Sequence, residues 1–344
     1  MIFVSNCWKD ELIIGFIFFA SEIQVITDHD HCKKPVKTKP DIMNKHNLSQ
    51  NIRNFEDCAG IDTLGIARAS QFSDYALKQH QRCDPKLTMP NAKSIIVVGT
   101  YIGGVTMPEW KNKWYGRTSR LYLSGFFLDV VKPLEPIVEF LKKEGYQTRI
   151  CDGSSEGESI IPLKLAAIRA GLGWQGKHSL LISKKYGTFL ALGGILTDAD
   201  LECNIIEEPN RCHKCTECQK ACPVKALEKP HVLDINKCMS NLLSNGDLPQ
   251  EVIDSMENRI QDCEICQEAC PWNKKHLKNP LTTKMTPHFQ KKINNWKDKF
   301  FLKDLNKLSE HQYKILFDKF NIDIPFHIFQ RNVKIAIKHA EKGD

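Results

Sequence analysis

The sequence lacks several features that would assign a protein to a familiar class. No apolar run approaches the roughly 20 residues that a membrane-spanning helix requires. The apolar stretch from Leu12 to Ala20 is short, follows charged residues and has no clear small-residue cleavage site, so it does not fit a secretory signal. A Walker loop and internal repeats, apart from paired cysteine motifs, are also absent. We therefore expect a cytoplasmic protein without membrane attachment, with residues 1–42 as an extension outside the fold and Met43 as an alternative start.

Composition and charge limit the remaining classes. The chain has 344 residues, of which 42% are hydrophobic and 26% are charged, as in soluble globular proteins with two or three compact units. Basic residues are concentrated in the tail from Lys274 to Asp344, where 16 lysines and arginines face 7 acidic residues. This tail predicts attraction to polyanions such as nucleic acid, with a solvated lysine-rich surface as the alternative.

Cysteines are the most informative residues of the chain. Eight of the 14 lie between residues 212 and 270: four in a first motif and three in a second, each ending in Cys-Pro, with Cys238 between the two motifs. Such motifs supply the thiolates of two 4Fe-4S clusters, and the cysteine before each proline binds the other cluster. This crossing rule predicts that one cluster is bound by Cys212, Cys215, Cys218 and Cys270, and the second by Cys222, Cys238, Cys263 and Cys266.

Zinc sites and disulfides are the alternative interpretations of these cysteines. Zinc usually takes closed tetrahedral sets and does not require a third closely spaced cysteine or two Cys-Pro pairs. Disulfides require an oxidising compartment. The six other cysteines are scattered and are interpreted as free thiols: Cys7, Cys32, Cys58, Cys83, Cys151 and Cys203.

The segment before the cysteines alternates strand and helix patterns. Strands are predicted at Gly60–Ala67, Ala92–Tyr101, Thr148–Cys151 and Phe189–Thr197. Helices are predicted from Leu121 to Gly145 and from Ile161 to a stop at Gly171. This alternation predicts an α/β fold.

A glycine-rich loop separates the second helix from the last strand. Gly171, Gly173 and Gly176 permit positive φ angles and a close approach of the backbone to a ligand. Lys177, His178 and Ser179 add polar groups to the same loop. A plain helix-turn-strand connection is the alternative.

The residues after the cysteines predict helices. Leu302–Leu308 is one, and Ser309 with Gln312 forms a capping box that starts the next. The last helix is predicted at Arg331–Lys338.

Taken in order, these parts resemble the epoxyqueuosine reductase family, iron-sulfur and corrinoid proteins related to reductive dehalogenases. The resemblance rests on the run from Ala170 to Ile182, Leu196-Thr-Asp198, the eight cysteines, Cys270-Pro-Trp-Asn273 and Arg331-Asn332. It extends from about residue 48 to the end of the chain.

The resemblance implies three domains. They are a nitroreductase-like corrinoid-binding α/β domain at 48–200, a two-cluster ferredoxin domain at 201–280 and a short all-α C-terminal region at 281–344 that in the family grips tRNA. It also implies that a cobalamin is held by the glycine-rich loop. The residues concerned are Gly173, Trp174, Gly176, Lys177, His178 and Ser179.

The sequence departs from the family at the proton donor. Epoxyqueuosine reductases have an Asp-Ser-x-Pro motif whose Asp is the acid, and its position here falls at or near Gly157. Asp152, Glu156 and Glu158 are the substitute candidates, although none matches residue by residue. The chain is therefore predicted to be a paralogue without the usual catalytic Asp.

Two functions follow from these observations. The first is a reductase, a monomer that receives electrons from a flavodoxin or ferredoxin. Its two 4Fe-4S clusters pass them to a corrinoid that reduces a substrate, epoxyqueuosine in tRNA if the family function holds. The second is a ferredoxin-like electron-transfer or accessory protein without corrinoid catalysis. A regulatory nucleic-acid binder would rest on the basic tail alone.

Overall fold

The structure is a computed structural model. It describes residues 43–58, 60–73, 84–105, 109, 111–124, 132–151, 161–203, 208–283, 285–318 and 324–342. The predicted extension at 1–42 lies outside the described residues, and so do Asp152, Glu156 and Glu158.

An antiparallel sheet of four strands forms the centre of the α/β part. In chain order, the strands of the described residues are β1 (Thr63–Arg68), β2 (Ser94–Tyr101), β3 (Thr148–Cys151), β4 (Trp174–Gln175), β5 (Leu181–Ile182) and β6 (Leu190–Thr197). The large sheet has the order β1, β2, β6, β3, and β4 pairs with β5 in a separate ribbon. All eight residues of β2 are buried, as predicted for a central strand.

Helices are short except near the C terminus. In the first half the described helices are α1 (Lys45–Arg53), α2 (Pro85–Thr88), α3 (Arg120–Leu123), α4 (Glu135–Lys143) and α5 (Leu163–Arg169). The second half has α6 (Glu217–Ala221), α7 (Met239–Leu242), α8 (Gln250–Ser255), α9 (Ile265–Glu268), α10 (Lys274–Lys278), α11 (Thr286–Trp296), α12 (Leu302–Leu305), α13 (Glu310–Asp318) and α14 (Phe326–Lys342). Short 3-10 helices lie at Asn54–Asp57, Lys132–Leu134, Pro271–Asn273 and Lys297–Phe300.

Both faces of the sheet are covered, because successive side chains of a strand point to opposite faces. Ile95 and Val97 belong to a core that includes residues of α5. Ile96 and Val98 belong to a second core that includes residues of α1 and α4. The approach of α5 requires a glycine in β1, since a Cβ on Gly65 would lie 2.3 Å from the Ala170 carbonyl oxygen.

A third core joins the C-terminal helices to the α/β part. Tyr101 and Phe189 belong to it together with aromatic residues of the tail. The rings of Phe300 and Phe317 are 6.0 Å apart, and those of Phe317 and Phe329 are 5.0 Å apart. The C-terminal region is therefore packed onto the sheet region.

The strands predicted at Ala92–Tyr101, Thr148–Cys151 and Phe189–Thr197 are confirmed to within two residues. The helix predicted at Leu302–Leu308 ends at Leu305, and the one predicted at Arg331–Lys338 is longer. The helix predicted from Leu121 to Gly145 is wrong as a single element, because α3 ends at its C-cap Ser124 and α4 begins only at Glu135. Pro136 occupies the first turn of α4, where a missing N–H costs nothing. The capping box is confirmed, since the Ser309 N–H donates to Gln312 and the Gln312 N–H to Ser309.

None of the helices within the described ranges combines the length and the apolarity needed to cross a membrane.

Candidate iron-sulfur centre and glycine-rich loop

The first cysteine motif folds as a tight turn followed by α6. The Cys212 N–H donates to the Asn210 side-chain oxygen at 2.8 Å, and the Cys215 N–H donates to the Cys212 carbonyl at 2.8 Å. His213 has a φ of 39°, in the left-handed region. The chain thus makes a hydrogen-bonded turn between the first two cysteines of the motif.

The structure brings Cys270 to the first motif. Burial raises the pKa of the Cys270 thiol to about 11, and the neighbouring thiols of Cys212, Cys218 and Cys215 add to the rise. Cys270 is far from these residues in sequence, so α9 must lie beside α6, and the two helices are in contact. The four thiols of the first predicted cluster therefore lie near one another.

The other four thiols form a second group. Burial raises the pKa of Cys266 well above its ordinary value, and Cys263, Cys238 and Cys222 are the next causes. Burial also raises the pKa of Cys263 to about 12. Metal ligation deprotonates such thiols, so the site would bind metal with release of protons. We call the two groups the first quartet (Cys212, Cys215, Cys218, Cys270) and the second quartet (Cys222, Cys238, Cys263, Cys266).

The surroundings of the second quartet are mainly apolar. Cys222, Cys238 and Cys263 pack against a small core that includes Met239 and Met256. Next to it, Asp262 has a φ of 56° and accepts hydrogen bonds from the Ser240 hydroxyl and, at 2.7 Å, from the Cys263 N–H. This carboxylate fixes the turn that begins the second motif.

No group of three or more His, Cys, Asp or Glu side chains among the described residues is arranged to hold a single metal ion. A cubane differs from a single ion because its four thiolates bind four different irons.

The glycines of the loop are required by the packing of the chain on itself. A Cβ on Gly173, whose φ is 157°, would lie 2.1 Å from the Ile182 carbonyl oxygen. A Cβ on Gly176 would lie 2.5 Å from Cε1 of His178. These two glycines therefore allow β5 and His178 to lie close to the loop backbone.

The same loop is hydrogen-bonded to the cysteine motif. Lys177 donates through its ammonium group to the carbonyls of His213 at 2.7 Å and Cys215 at 2.8 Å. Asn210 donates to the Gln175 carbonyl at 3.2 Å, and the His231 N–H donates to the Lys177 carbonyl at 2.9 Å. Lys177, predicted from the resemblance to contact a corrinoid, is hydrogen-bonded to the turn between Cys212 and Cys215.

Trp174 is the residue of this loop that packs against the first quartet. It is 2% exposed and belongs to an apolar cluster with Ile182, Cys270, Cys212 and Trp272. Its ring meets that of Trp272 edge to face, with centroids 4.8 Å apart. The indole N–H is buried and has no hydrogen-bond partner among the described residues.

His178 is buried and neutral. Its Nδ1 accepts the Leu180 N–H at 3.2 Å, which places the ring proton on Nε2. Burial, followed by the charge of Lys164, lowers the pKa of His178 to about 4. Nε2 has no partner among the described residues and is a donor available to a ligand. Ser179 has a φ of 63° and closes a turn by donating its N–H to the Gly176 carbonyl.

Asn273 of the Cys-Pro-Trp-Asn motif links the cysteines to the strand region. The Asn273 amide donates to the Thr188 hydroxyl at 2.6 Å and to the Gln267 carbonyl at 2.7 Å, and its oxygen accepts the Thr188 N–H at 2.8 Å. Gly187 is necessary here, since a Cβ on it would lie 2.0 Å from the Asn273 oxygen.

A buried ion pair and the last helix also contact the segment that contains the cysteines. Arg120 pairs with Glu264, a residue between Cys263 and Cys266, and both side chains are almost fully buried. Burial raises the pKa of Glu264, and the Arg120 guanidinium opposes the rise. In α14, Asn332 donates to the carbonyls of Leu243 at 2.7 Å and Ile260 at 2.9 Å.

Some of these contacts could not be found from sequence. Asn210, His231 and Arg120 carry no motif signal, because only the tertiary structure brings them to the cysteines. Among the scattered cysteines, Cys203 is a free thiol as predicted. The prediction of a free thiol is wrong for Cys58, which is disulfide-bonded.

Comparisons with known proteins agree with this site. Residues 211–273 match a family model described as a 4Fe-4S double cluster binding domain. An epoxyqueuosine reductase of Prochlorococcus marinus (strain NATL2A) is 34% identical over 212 residues, which are 60% of this chain and 65% of that protein. The chain thus spans slightly less than two thirds of this relative.

Solved structures show the same fold. The crystal structure of an epoxyqueuosine reductase with an epoxyqueuosine-modified tRNA-Tyr stem loop has a TM-score of 0.72 at 22% identity, covering 87% of this chain and 83% of that one. A reductive dehalogenase, whose structure suggests a mechanism for B12-dependent dehalogenation, has a TM-score of 0.52 at 17% identity, covering 76% and 38%. The predicted fold class and the predicted resemblance are confirmed.

Proposed function

The chain resembles the epoxyqueuosine reductases in sequence and fold, and from this premise we propose that it is an iron-sulfur reductase with two 4Fe-4S clusters and a corrinoid. Its proposed substrate is epoxyqueuosine in tRNA, its electron donor a flavodoxin or ferredoxin, and its location the cytoplasm, where it acts as a monomer. The observation that carries the proposal is the hydrogen bonding of the glycine-rich loop to the first quartet. It connects the loop that is predicted to bind the corrinoid with the cluster that is predicted to deliver the electrons.

The donor set fits two cubanes. Each quartet supplies four thiols, and each contains one cysteine from the other motif, so neither cluster can form without the contact between α6 and α9. Cubane clusters carry single electrons. We propose that the first quartet is the one nearer to the reaction site, because it packs against Trp174 and the glycine-rich loop.

One buried group fits a corrinoid. His178 offers an unpartnered Nε2–H, and its low pKa keeps the ring neutral at physiological pH. We propose that this N–H donates to a polar group of the cofactor and that Lys177 holds the loop in place. A bound corrinoid would supply a metal centre able to deliver electrons to the substrate.

An acid is still needed to protonate the departing oxygen. Asp152, Glu156 and Glu158 stay the proposed candidates, and they lie outside the described residues. General acids typically contribute about 100- to 10,000-fold to a rate, so the amide variant of the acting residue is expected to lower turnover by that order and retain the corrinoid.

A spectroscopic experiment tests the cofactors. Protein purified anaerobically and mixed with hydroxocobalamin should retain corrin absorption bands through desalting. The His178→Phe variant should retain less corrinoid with unchanged iron, whereas Cys203→Ser, outside both quartets, should behave as the unmodified chain. Absence of corrin bands in the unmodified chain would contradict the proposal that it binds a corrinoid.

Activity and tRNA binding are tested separately. Epoxyqueuosine-containing tRNA should be converted by the corrinoid-loaded chain with a strong reductant, and lack of conversion despite bound corrinoid would indicate another substrate. For binding, the excess of basic residues after Lys274 predicts an affinity that falls with rising salt. An affinity for tRNA that is independent of salt would show that phosphate contacts do not drive it.

The second candidate function is a ferredoxin-like electron-transfer or accessory protein. It is favoured by the engagement of Lys177 with the cysteine loop and by the absence of a matching Asp near Gly157. Two clusters without retained corrinoid would support this function.

A further inference from the structure

The Trp174 indole has an unusual environment for a polar group. The side chain is 2% exposed, and its N–H has no hydrogen-bond partner among the described residues. Burying an N–H without an acceptor is costly, so native proteins rarely leave one in that state. The N–H therefore indicates an acceptor that becomes available in the working protein.

A buried water does not explain this donor. An ordered water needs two to four polar partners, and Trp174 lies in an apolar cluster with Ile182 and Trp272. The other members of this cluster are Cys270 and Cys212, both of the first quartet. Sulfur is thus the acceptor that the surroundings offer.

Lys177 adds a positive charge near the same quartet. Its ammonium group binds the His213 and Cys215 carbonyls, which belong to the turn between the first two cysteines of the motif. Reduction of a cubane adds one negative charge, and the potential depends on hydrogen bonds to sulfur and on nearby charge. Donors and cations outside the ligand set favour the reduced form.

We propose that Trp174 and Lys177 set the reduction potential of the first cluster. The Trp174 indole N–H donates to a sulfur of this cluster, and the Lys177 ammonium stabilises the charge that one-electron reduction adds. The reductant supplies the electron, and no proton or leaving group is involved. This inference rests on the proposed binding of two clusters, and it assigns to the glycine-rich loop a role independent of any corrinoid.

The test is a redox titration of reconstituted protein under anaerobic conditions, with dithionite as reductant and electron paramagnetic resonance as the readout. Trp174→Phe keeps an aromatic ring and removes the N–H. We expect the potential of one cluster to shift to lower values and that of the other to stay unchanged. Unchanged potentials for both clusters would overturn the role of the indole.

Trp272→Phe is the matched control. It changes the other ring of the edge-to-face pair and keeps the Trp174 indole N–H. We expect its potentials to equal those of the unmodified chain. A shift as large as that of Trp174→Phe would assign the effect to ring packing and would overturn the proposal.

The charge is tested by two substitutions of Lys177. Lys177→Met should lower the potential of the same cluster. Lys177→Arg should keep that potential close to the value of the unmodified chain, because the guanidinium retains the charge and the donors. Equal potentials in Met and Arg variants would show that the charge has no effect and would overturn this part.

A spectroscopic measurement covers the case in which Trp174→Phe fails to assemble. The Trp272→Phe chain is labelled with ¹⁵N in its tryptophan indoles, and hyperfine coupling of indole nitrogen to the reduced cluster is expected. Lack of coupling would overturn the proposal. Iron content separates the two hypotheses: about eight iron atoms per chain with no Trp174 effect contradict only this inference, and far fewer iron atoms contradict the proposed function.

Discussion

The sheet region and the cysteine-rich region differ in how much regular, buried structure they contain. In the sheet region, all eight residues of strand β2 are buried. Between residues 208 and 280, the longest described helix has only six residues. We call residues 208–280 the cysteine module. The sheet region has apolar cores on both of its faces. The module has one small core, and its cysteines belong partly to that core. The sheet region is thus stabilised by apolar burial, and the module depends on whatever binds its thiols.

This difference between the two regions indicates how short helices can be stable in this chain. Isolated helices of four to six residues are not stable in water, because the first turn is entropically costly. In the module, α6, α7 and α9 each begin at or near a cysteine. Binding of one inorganic core by four such segments would replace the apolar contacts that longer helices make.

The largest expected effect is loss of a cluster. Cys215→Ser should lower the iron content from about eight to about four atoms per chain, since one quartet loses a ligand. The module should also become sensitive to proteolysis, because metal binding contributes to its folding free energy. Iron analysis and limited proteolysis measure both effects. Cys203→Ser is the control, and equal iron loss there would contradict the assignment of the quartets.

A smaller effect is expected from the sheet core. Ile96→Ala removes a fully buried side chain and should lower the free energy of unfolding by about 2–5 kcal/mol. Iron content after reconstitution should stay unchanged, because Ile96 belongs to the core between the sheet and helices α1 and α4. Denaturant unfolding measures the change. Ile315→Ala, at a side chain that is 58% exposed, is the control and should change stability by less than about 0.5 kcal/mol.

The buried His178 predicts that the free energy of unfolding depends on pH. Its pKa is about 4 in the folded chain and 6.5 in the unfolded chain, so the unfolded state binds more protons between these values. The contribution of neutral His178 to the free energy of unfolding is present above pH 6.5 and is lost as the pH decreases towards 4. The loss is roughly 1 kcal/mol at pH 5.5. Denaturant unfolding at pH 7.5 and 5.5 measures the loss. A His178→Gln variant with the same loss would contradict the assignment to His178.

The smallest effect is expected on the C-terminal surface. Lys314 and Glu310 form an ion pair at 3.1 Å, with side chains 70% and 60% exposed. Lys314→Met should change the free energy of unfolding by at most about 0.5 kcal/mol, because solvent screens exposed pairs. The same unfolding experiment in high salt should remove the difference. A change above 2 kcal/mol would show that surface charge, as well as burial and metal binding, stabilises this chain.

Local patterns predicted many elements because each depends on neighbouring residues. The apolar run at Ile95 to Val98 predicts a central strand, and Gly171 predicts the end of α5, where it has a φ of 77°. The failure at Leu121 to Gly145 has the same origin, since periodicity joined α3 to a helix that starts only after Pro133. Periodicity counts apolar positions and does not detect a break between two helices.

The sequence alone determined the cysteine spacing and the strand pattern, because ligand spacing and side-chain alternation are properties of short segments. Tertiary structure decided which distant groups meet. It brought Cys270 beside the first motif, directed Lys177 to the carbonyls of His213 and Cys215, and paired Arg120 with Glu264. These contacts depend on packing between elements far apart in the chain, and no local pattern encodes that packing.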